Sequence, residues 1–303
     1  MAMYEQDRFI AGDCREVLPM LARQRRRFQT CVTSPPYFRL RDYGGQGQIG
    51  LETSVADYVA SLVEVFNKVR EVLKEDGTLW LNLGDSYVSR RNRDCTGDVA
   101  LKTKDLMGLP WRVALALQDD GWYLRQDIIW HKPNAMPESV SDRCTQAHEY
   151  LFLLSKRPRY YFNADAICEL SLTFGEPDAD DKANFARNRG KRTGVTPPGS
   201  NSIAHRADRA PTIASEMRNR RSVWEIATTP TLHPHTAPFP RELVELCLMA
   251  GTQSGDWVLD PFGGSGTTAA VANELGRHWV SIELDARYRD AHEERTLQMP
   301  LNL

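Results

Sequence analysis

Ser34-Pro35-Pro36-Tyr37 sets a hydroxyl, a fixed carbonyl and an aromatic face side by side, directly after the apolar run Phe28–Val32. Two consecutive prolines can neither continue a sheet nor enter a helix, so they hold the chain as a rigid, extended turn. Such a turn suits work on a planar amine conjugated to a ring, a poor nucleophile because its lone pair is delocalised. The Ser34 hydroxyl and the Pro35 carbonyl can each accept one amino hydrogen, which draws the nitrogen toward tetrahedral geometry and frees the lone pair for in-line attack. The gain is positional and electrostatic, with no covalent intermediate on the enzyme. Tyr37 offers a face on which an extruded base can stack.

A second motif lies near the other end of the chain. Asp256–Leu259 reads as a strand, and Asp260-Pro261-Phe262-Gly263-Gly264-Ser265-Gly266-Thr267-Thr268 follows as a glycine-rich turn into a helix. Glycines at such a turn let a ligand approach the backbone and the helix N-terminus, which favours an anionic group. Glu283 lies nineteen residues after Gly264, near the end of the next strand, where an acid can accept both hydroxyls of a ribose. A phosphate-binding P-loop is excluded because no G-K-[ST] follows, and the spacing is not G-x-G-x-x-G. His233 and His235 lack a carboxylate or cysteine at ligand spacing, so no metal is expected. No Pro-Cys pair is present to act as a covalent nucleophile, and Cys31 falls inside the buried strand.

Together the two motifs carry a resemblance. D-P-F-x-G-x-G-T-T resembles the S-adenosylmethionine (AdoMet) motif of DNA amino-methyltransferases. S-P-P-Y, the run Ser34–Gly50 and Ile129-Trp130-His131-Lys132-Pro133-Asn134 resemble the catalytic region of the β-class restriction–modification enzymes. His235-Thr236-Ala237-Pro238-Phe239-Pro240 is similar to the segment that precedes the AdoMet motif there. The chain also has the β-class order, with the catalytic motif first, a recognition region next and the AdoMet motif last. The resemblance covers nearly the whole sequence. It implies AdoMet as methyl donor, with the methionine carboxylate at the turn of Asp260, Gly263, Gly264, Gly266 and Thr267, and Phe262 flanking the cofactor. It further implies Glu283 on the ribose, Asp13 on the adenine, and Phe239 leading a helix that closes the pocket. Ser34 implies cytosine N4 as the target, since adenine-N6 enzymes of the class usually carry Asp or Asn there. Adenine N6 is the first alternative; an RNA or protein-glutamine methyltransferase and an inactive DNA-binding module are further ones.

These residues need a scaffold, and strand and helix signals alternate on both sides of an irregular segment. Strands are expected at Arg8–Gly12, ending at Asp13, and at Phe28–Val32. Tyr58, Leu62, Phe66, Val69 and Leu73 recur at helical spacing, so Val55–Lys74 is expected as a helix, with Asp76-Gly77 turning into the strand Thr78–Leu83. Pro110 opens a helix through Leu117; Trp122–Trp130 and Glu149–Ser155 read as strands. Helix Pro240–Ala250 with Gly251 as its cap, strand Asp256–Leu259, helix Thr267–Leu275 and strand Trp279–Leu284 complete the pattern. It predicts a doubly wound, mostly parallel Rossmann-like sheet in permuted order. Residues 1–169 and 223–303 form its two parts, and 170–222 is a target recognition insertion. Trp130 and Lys132 are candidate walls of a base pocket, although the core is the commoner place for such a tryptophan.

Net charge is −2, so nucleic-acid binding must come from a local basic face. Lys182 to Arg221 holds ten Lys and Arg against Asp208 and Glu216. Arg187, Arg189, Lys191, Arg192, Arg218, Arg220 and Arg221 are therefore the candidate DNA contacts, suited to phosphates and base edges. Double-stranded DNA is the expected partner of a monomer or homodimer, and the resemblance to restriction–modification enzymes adds a companion restriction endonuclease acting on the same site as a further candidate. The six scattered cysteines, with no C-x-x-C pair, suit a reducing cytoplasm, and no apolar run is long enough for a membrane.

Overall fold

The computed structural model describes residues 8–42, 44, 47–89, 100–171, 216–228 and 239–297. The chain divides into two compact units, Met1–Asn163 with Arg221–Leu303, and Ala164–Arg220. The first unit is built on an eight-stranded sheet. Its strands are β1 (Arg8–Ala11), β2 (Phe28–Thr33), β3 (Leu73–Leu83), β4 (Tyr123–His131), β5 (His148–Ser155), β8 (Val223–Glu225), β9 (Trp257–Asp260) and β10 (His278–Glu283). In space they run β1-β10-β9-β2-β3-β5-β4-β8. The first five are parallel to one another and β5 alone runs antiparallel to its neighbours β3 and β4. In the second unit β6 (Glu169–Leu170) pairs antiparallel with β7 (Met217–Arg218).

The doubly wound α/β fold expected from the alternating pattern is the fold observed. Helices α1 (Cys14–Arg23), α2 (Val55–Val72) and α3 (Leu109–Asp119) pack in one row. Helices α4 (Arg241–Gly251), α5 (Thr267–Glu274) and α6 (Arg289–Leu297) pack in another. In α2 the buried side chains Val55, Tyr58, Leu62, Val65, Phe66, Val69 and Val72 recur every three or four residues, the stripe an amphipathic helix lays on a sheet. Ser54 caps its start, its hydroxyl accepting from the Asp57 amide at 3.0 Å. All six residues of β2 are buried, as a strand covered on both faces requires.

Most element boundaries differ from the sequence expectation by a residue or two, and three differences have a structural reason. Strand β1 stops at Ala11, and Asp13 is the N-cap of α1, accepting from the Arg15 amide at 2.8 Å. Asp76-Gly77 does not precede a strand but lies inside β3. The register with β2 jumps from Phe28↔Leu73 to Thr30↔Thr78, so the extra residues are taken up as an irregularity within the ladder. Gly251 is the last residue of α4, and Thr252 caps it. A Cβ at Gly251 would stand 3.0 Å from Trp80 Nε1, so this glycine serves close helix–sheet packing. Among the described residues no helix is long and apolar enough to cross a membrane.

Candidate active site

In an open parallel sheet ligands bind beyond the carboxyl ends of the strands, where the winding reverses. Here the reversal falls between β9 and β2. From β9 the chain winds outward through α5 to β10, and from β2 it winds the other way through α2 to β3. The two motifs singled out in the sequence follow these two strands directly. They touch: the Thr33 hydroxyl donates to Asp260 Oδ1 at 2.6 Å, across 227 positions of sequence.

Beyond β2, Ser34-Pro35-Pro36-Tyr37 forms a braced turn. The Tyr58 hydroxyl from α2 donates to the Pro36 carbonyl at 3.0 Å. Ser34 Oγ donates to the Tyr37 hydroxyl at 3.4 Å and accepts from Asn82 Nδ2 at 3.3 Å. The Tyr37 hydroxyl donates to Glu149 Oε2 at 2.6 Å, and Asn82 Nδ2 also reaches the Tyr37 hydroxyl and Glu149 Oε2 at 2.9 and 2.8 Å. Lys132 Nζ holds the other carboxylate oxygen of Glu149. The sheet register explains the gathering. Asn82 lies near the carboxyl end of β3, whereas Glu149 stands at the amino end of antiparallel β5, paired with Trp130 of β4. Burial, and then the nearby Glu149 carboxylate, push the Tyr37 phenol well above its ordinary pKa. Its ring lies against the backbone of Gly84, where a Cβ would stand 2.6 Å from Tyr37 Cε2. The hydroxyl of Tyr37 is thus engaged, which Tyr37→Phe would disturb.

Beyond β9 the chain makes the glycine turn. Asp260 is buried, and its Oδ1 also accepts from the Phe262 amide at 3.1 Å. Burial raises its pKa to about 6 against the opposing bonds from Thr33, Thr268 and Phe262. The turn is closed by Gly263 N–H to the Ile282 carbonyl and by Gly266, in the left-handed region, at the head of α5. Glu283 ends β10 and accepts the Gly264 amide on Oε2 at 2.8 Å and the Asp285 amide on Oε1 at 3.0 Å. Burial raises its pKa, these two amides oppose the rise, and the Asp260 charge adds to it.

The predicted residues therefore fall along one edge: Glu283 and Asp260 end their strands, and Asp13 and Ser34 sit just past the ends of the neighbouring parallel ones. Asp13 is less open than its motif suggests. Burial raises its pKa, but the side-chain and backbone bonds from Arg15 outweigh that and hold it below the usual value. Phe262 is half-buried against the edge of Phe66, and Phe239 is half-buried just before α4. The Thr267 hydroxyl accepts from Arg295 at 2.9 Å. Trp130 is a core residue, its indole N–H donating to the Ile226 carbonyl at 2.8 Å, with the Lys132 ammonium over its ring. Arg218 pairs with Glu169 at 3.0 Å; Arg220 is half-buried and Arg221 exposed. Arg187, Arg189, Lys191, Arg192, His233 and the stretch His235–Pro238 lie outside the described residues. Cys31 is fully buried and its thiol is pushed far up by burial, so it is no nucleophile.

Asn82, Gly84, Glu149 and Thr33 were not anticipated. A signal existed for two of them: Asn82 is a lone polar residue in the apolar run Leu79–Leu83, and Glu149 directly precedes the apolar run Tyr150–Leu154. A buried polar group without a role is costly, so such an interruption marks a site.

Comparison with known proteins agrees with this arrangement. The family model described as DNA methylase matches residues 28–294. The chain belongs to this family. It is a DNA amino-methyltransferase of the restriction–modification type. It is 44% identical over 306 residues to the Type II methyltransferase M.SmaI of Serratia marcescens, covering 96% of this chain and 91% of that one. To M.Cfr9I of Citrobacter freundii it is 42% identical over 275 residues, covering 86% and 78%. Among solved structures, the cytosine-N4-specific PvuII DNA methyltransferase matches with a TM-score of 0.63 at 20% identity, covering 97% of this chain and 87% of that one. A putative DNA modification methylase of Thermus thermophilus, complexed with S-adenosyl-L-methionine, matches at 0.58 and 24%, covering 96% and 94%. These two likenesses are of fold.

Proposed function

We propose that this DNA methyltransferase transfers a methyl group from AdoMet to N4 of a cytosine flipped out of duplex DNA. The Thr33–Asp260 bond is the observation that carries the reading, since it holds the amine-orienting turn and the glycine turn side by side at the switch crevice. The glycine turn fits AdoMet. A Cβ on Gly264 would meet nothing within 4 Å, so that backbone faces open space. Gly263 has no room for one, with Ser281 Oγ 1.8 Å away. Each Glu283 oxygen takes one backbone N–H and keeps lone pairs for ribose hydroxyls. Asp260, Phe262, Gly263, Gly264, Gly266, Thr267, Glu283 and Phe239 are the residues that would hold the cofactor, with Asp13 at the adenine end. The cofactor, when bound, supplies an electrophilic methyl carbon.

The protein does the rest by position. Ser34 Oγ has its own proton committed to Tyr37 and so presents a lone pair to one amino hydrogen; the Pro35 carbonyl takes the other. Tyr37 flanks the base, held upright by Asn82 and Glu149. The insertion around Lys182–Arg221 supplies the contacts to the duplex. Serine at position 34 favours cytosine N4, the specificity given for the PvuII enzyme of the same fold. Adenine N6 is the second reading, since the family serves both amines. The enzyme acts in the cytoplasm, and a companion endonuclease would cut the same site.

The test is nucleoside analysis of duplex DNA methylated in vitro with labelled AdoMet. N4-methylcytosine is expected, and N6-methyladenine would overturn the base assignment. Ser34→Ala should bind AdoMet normally but transfer methyl two to three orders of magnitude more slowly, the usual cost of one donor or acceptor used in the transition state.

A further inference from the structure

We infer that Glu149 receives the proton that the target amine must lose, through a chain of hydroxyls formed by Ser34 and Tyr37. The inference rests on the reading that Ser34 faces the amine. The hydrogen bonds all point one way: Ser34 Oγ donates to the Tyr37 hydroxyl, and that hydroxyl donates to Glu149 Oε2 at 2.6 Å. An amino N–H donating to Ser34 Oγ extends the line by one step. The 3.4 Å link between Ser34 and Tyr37 is of the length that catalytic hydrogen bonds often show before substrate closes on them.

The step balances. As the amine nitrogen forms its bond to the methyl carbon, the carbon–sulfur bond breaks and its electron pair stays on sulfur. The nitrogen becomes cationic and strongly acidic. Its proton passes to Ser34 Oγ, the Ser34 proton to Tyr37, and the Tyr37 proton to the carboxylate of Glu149, which later returns it to solvent. Both hydroxyls end as they began.

The surroundings of Glu149 suit an acceptor. Lys132 is the charged group facing it from the end of β4, Tyr37 the titratable one from the turn after β2, and Asn82 a neutral donor from β3. His148 and Tyr150, its neighbours on β5, contact each other ring to ring and share the opposite face by strand alternation. Lysine and asparagine together hold the carboxylate and aim it at Tyr37. A structural ion pair would need Lys132 only and gives no reason for a buried phenol to complete it.

The experiment is single-turnover methyl transfer to duplex substrate, measured against pH for wild type, Glu149→Gln, Glu149→Asp, Tyr37→Phe and the Glu149→Gln/Tyr37→Phe pair, with AdoMet affinity by calorimetry. The wild-type rate should fall at low pH, because only the ionised form of a carboxyl group can accept a proton. Glu149→Gln should be about 100-fold slower, the lower range for positioned proton transfer, and insensitive to pH in that region. Glu149→Asp should restore part of the rate and the pH dependence. Tyr37→Phe interrupts the same path without touching the Lys132 pair, so it should be equally slow, and the double variant no slower than either single one. AdoMet affinity should be unchanged throughout. A Glu149→Gln enzyme of wild-type rate, or one that keeps the acid limb, overturns the relay, as do losses that multiply in the double variant. A slow Ser34→Ala beside a fast Glu149→Gln overturns the relay alone, whereas a fast Ser34→Ala overturns the active-site reading as well. If Glu149→Gln does not fold, Tyr37→Phe decides: a wild-type rate and pH profile there overturns the relay.

Discussion

Gly263→Ala probes the cofactor turn with a steric argument that can be worked in advance. The new Cβ would lie 1.8 Å from Ser281 Oγ and 3.2 Å from Ser281 Cβ, where an ordinary contact needs about 3.5 Å. Ser281 is 1% exposed, in the middle of β10, so its hydroxyl can swing away only into packed surroundings or the turn itself must move. Overpacking of this kind costs about 1–3 kcal/mol. If the turn yields, that is a loss of about fivefold to about 150-fold in AdoMet affinity. The Ser281 hydroxyl has no hydrogen-bond partner among the described residues, so Ser281→Ala alone should change stability by less than about 0.5 kcal/mol. In the double variant the 1.8 Å clash is gone and only the 3.2 Å approach remains, so most of the loss should be recovered. Calorimetric titration of AdoMet into wild type, both single variants and the double variant, with thermal unfolding alongside, measures the coupling. If Gly263→Ala is as damaging in the Ser281→Ala background as in the wild-type one, the clash is not the cause and the argument fails.

Other consequences follow from charge and hydrogen bonding. His292, fully buried beside Phe9 and Trp279, is pushed down to about 4 by burial. The unfolded chain therefore takes the proton first, and up to about 3 kcal/mol of stability present above pH 6.5 is lost as pH falls toward 4. In urea unfolding between those values His292→Leu should flatten this loss; an unchanged pH slope would refute it. Glu283→Ala removes the acceptor of two amides at the turn and should weaken AdoMet binding tenfold or more, since bonds to a carboxylate are worth about 1.5–3 kcal/mol each. Asp13→Ala should weaken it less, because Arg15 already occupies that carboxylate, and calorimetry on both variants would expose the opposite ranking. Neutralising Arg187, Arg189, Lys191 and Arg192 together should lower DNA affinity and flatten its salt dependence by up to about 0.9 per lost phosphate contact. Unchanged binding at two salt concentrations would move the DNA face elsewhere.

The sequence was legible where one residue type has one physical use. Two prolines after an apolar strand, glycines between strand and helix, and the periodic stripe of α2 each dictate local structure without help from tertiary context, and all were found where expected. Glu149 and Lys132 were not legible as partners, because their meeting depends on β5 entering the sheet antiparallel and at one register. The strand β8 escaped notice for the same reason: three residues, Val223–Glu225, carry no periodicity and are strand only because β4 offers an edge. Asp76-Gly77 has the composition of a turn, and tertiary pairing overrode it.

Asp260 shows why the site is also where local consistency breaks. A fully buried carboxylate with no cation beside it among the described residues is an expensive residue to keep at the junction of two loops, and burial raises its pKa to about 6. Below pH 3.8, the ordinary value, the folded and unfolded chains both hold the proton and Asp260 costs nothing. Between there and about 6 the unfolded chain ionises while the folded one does not, so stability falls with rising pH and levels off above that range. The loss is about 3 kcal/mol at most. Asp260→Asn stays neutral throughout, and its carboxamide oxygen can still accept from Thr33 and the Phe262 amide. The amide nitrogen would need the Thr268 hydroxyl, which also reaches the Val32 carbonyl at 3.3 Å, to turn and accept. The variant should therefore match wild type in urea unfolding near pH 4, and exceed it by up to about 3 kcal/mol at pH 8. A wild-type advantage at pH 8 would show that the charge stabilises the fold, against the argument. Stability gained at the cost of weaker AdoMet binding is the expected pairing, because a carboxylate that burdens the fold is retained for what it holds in place.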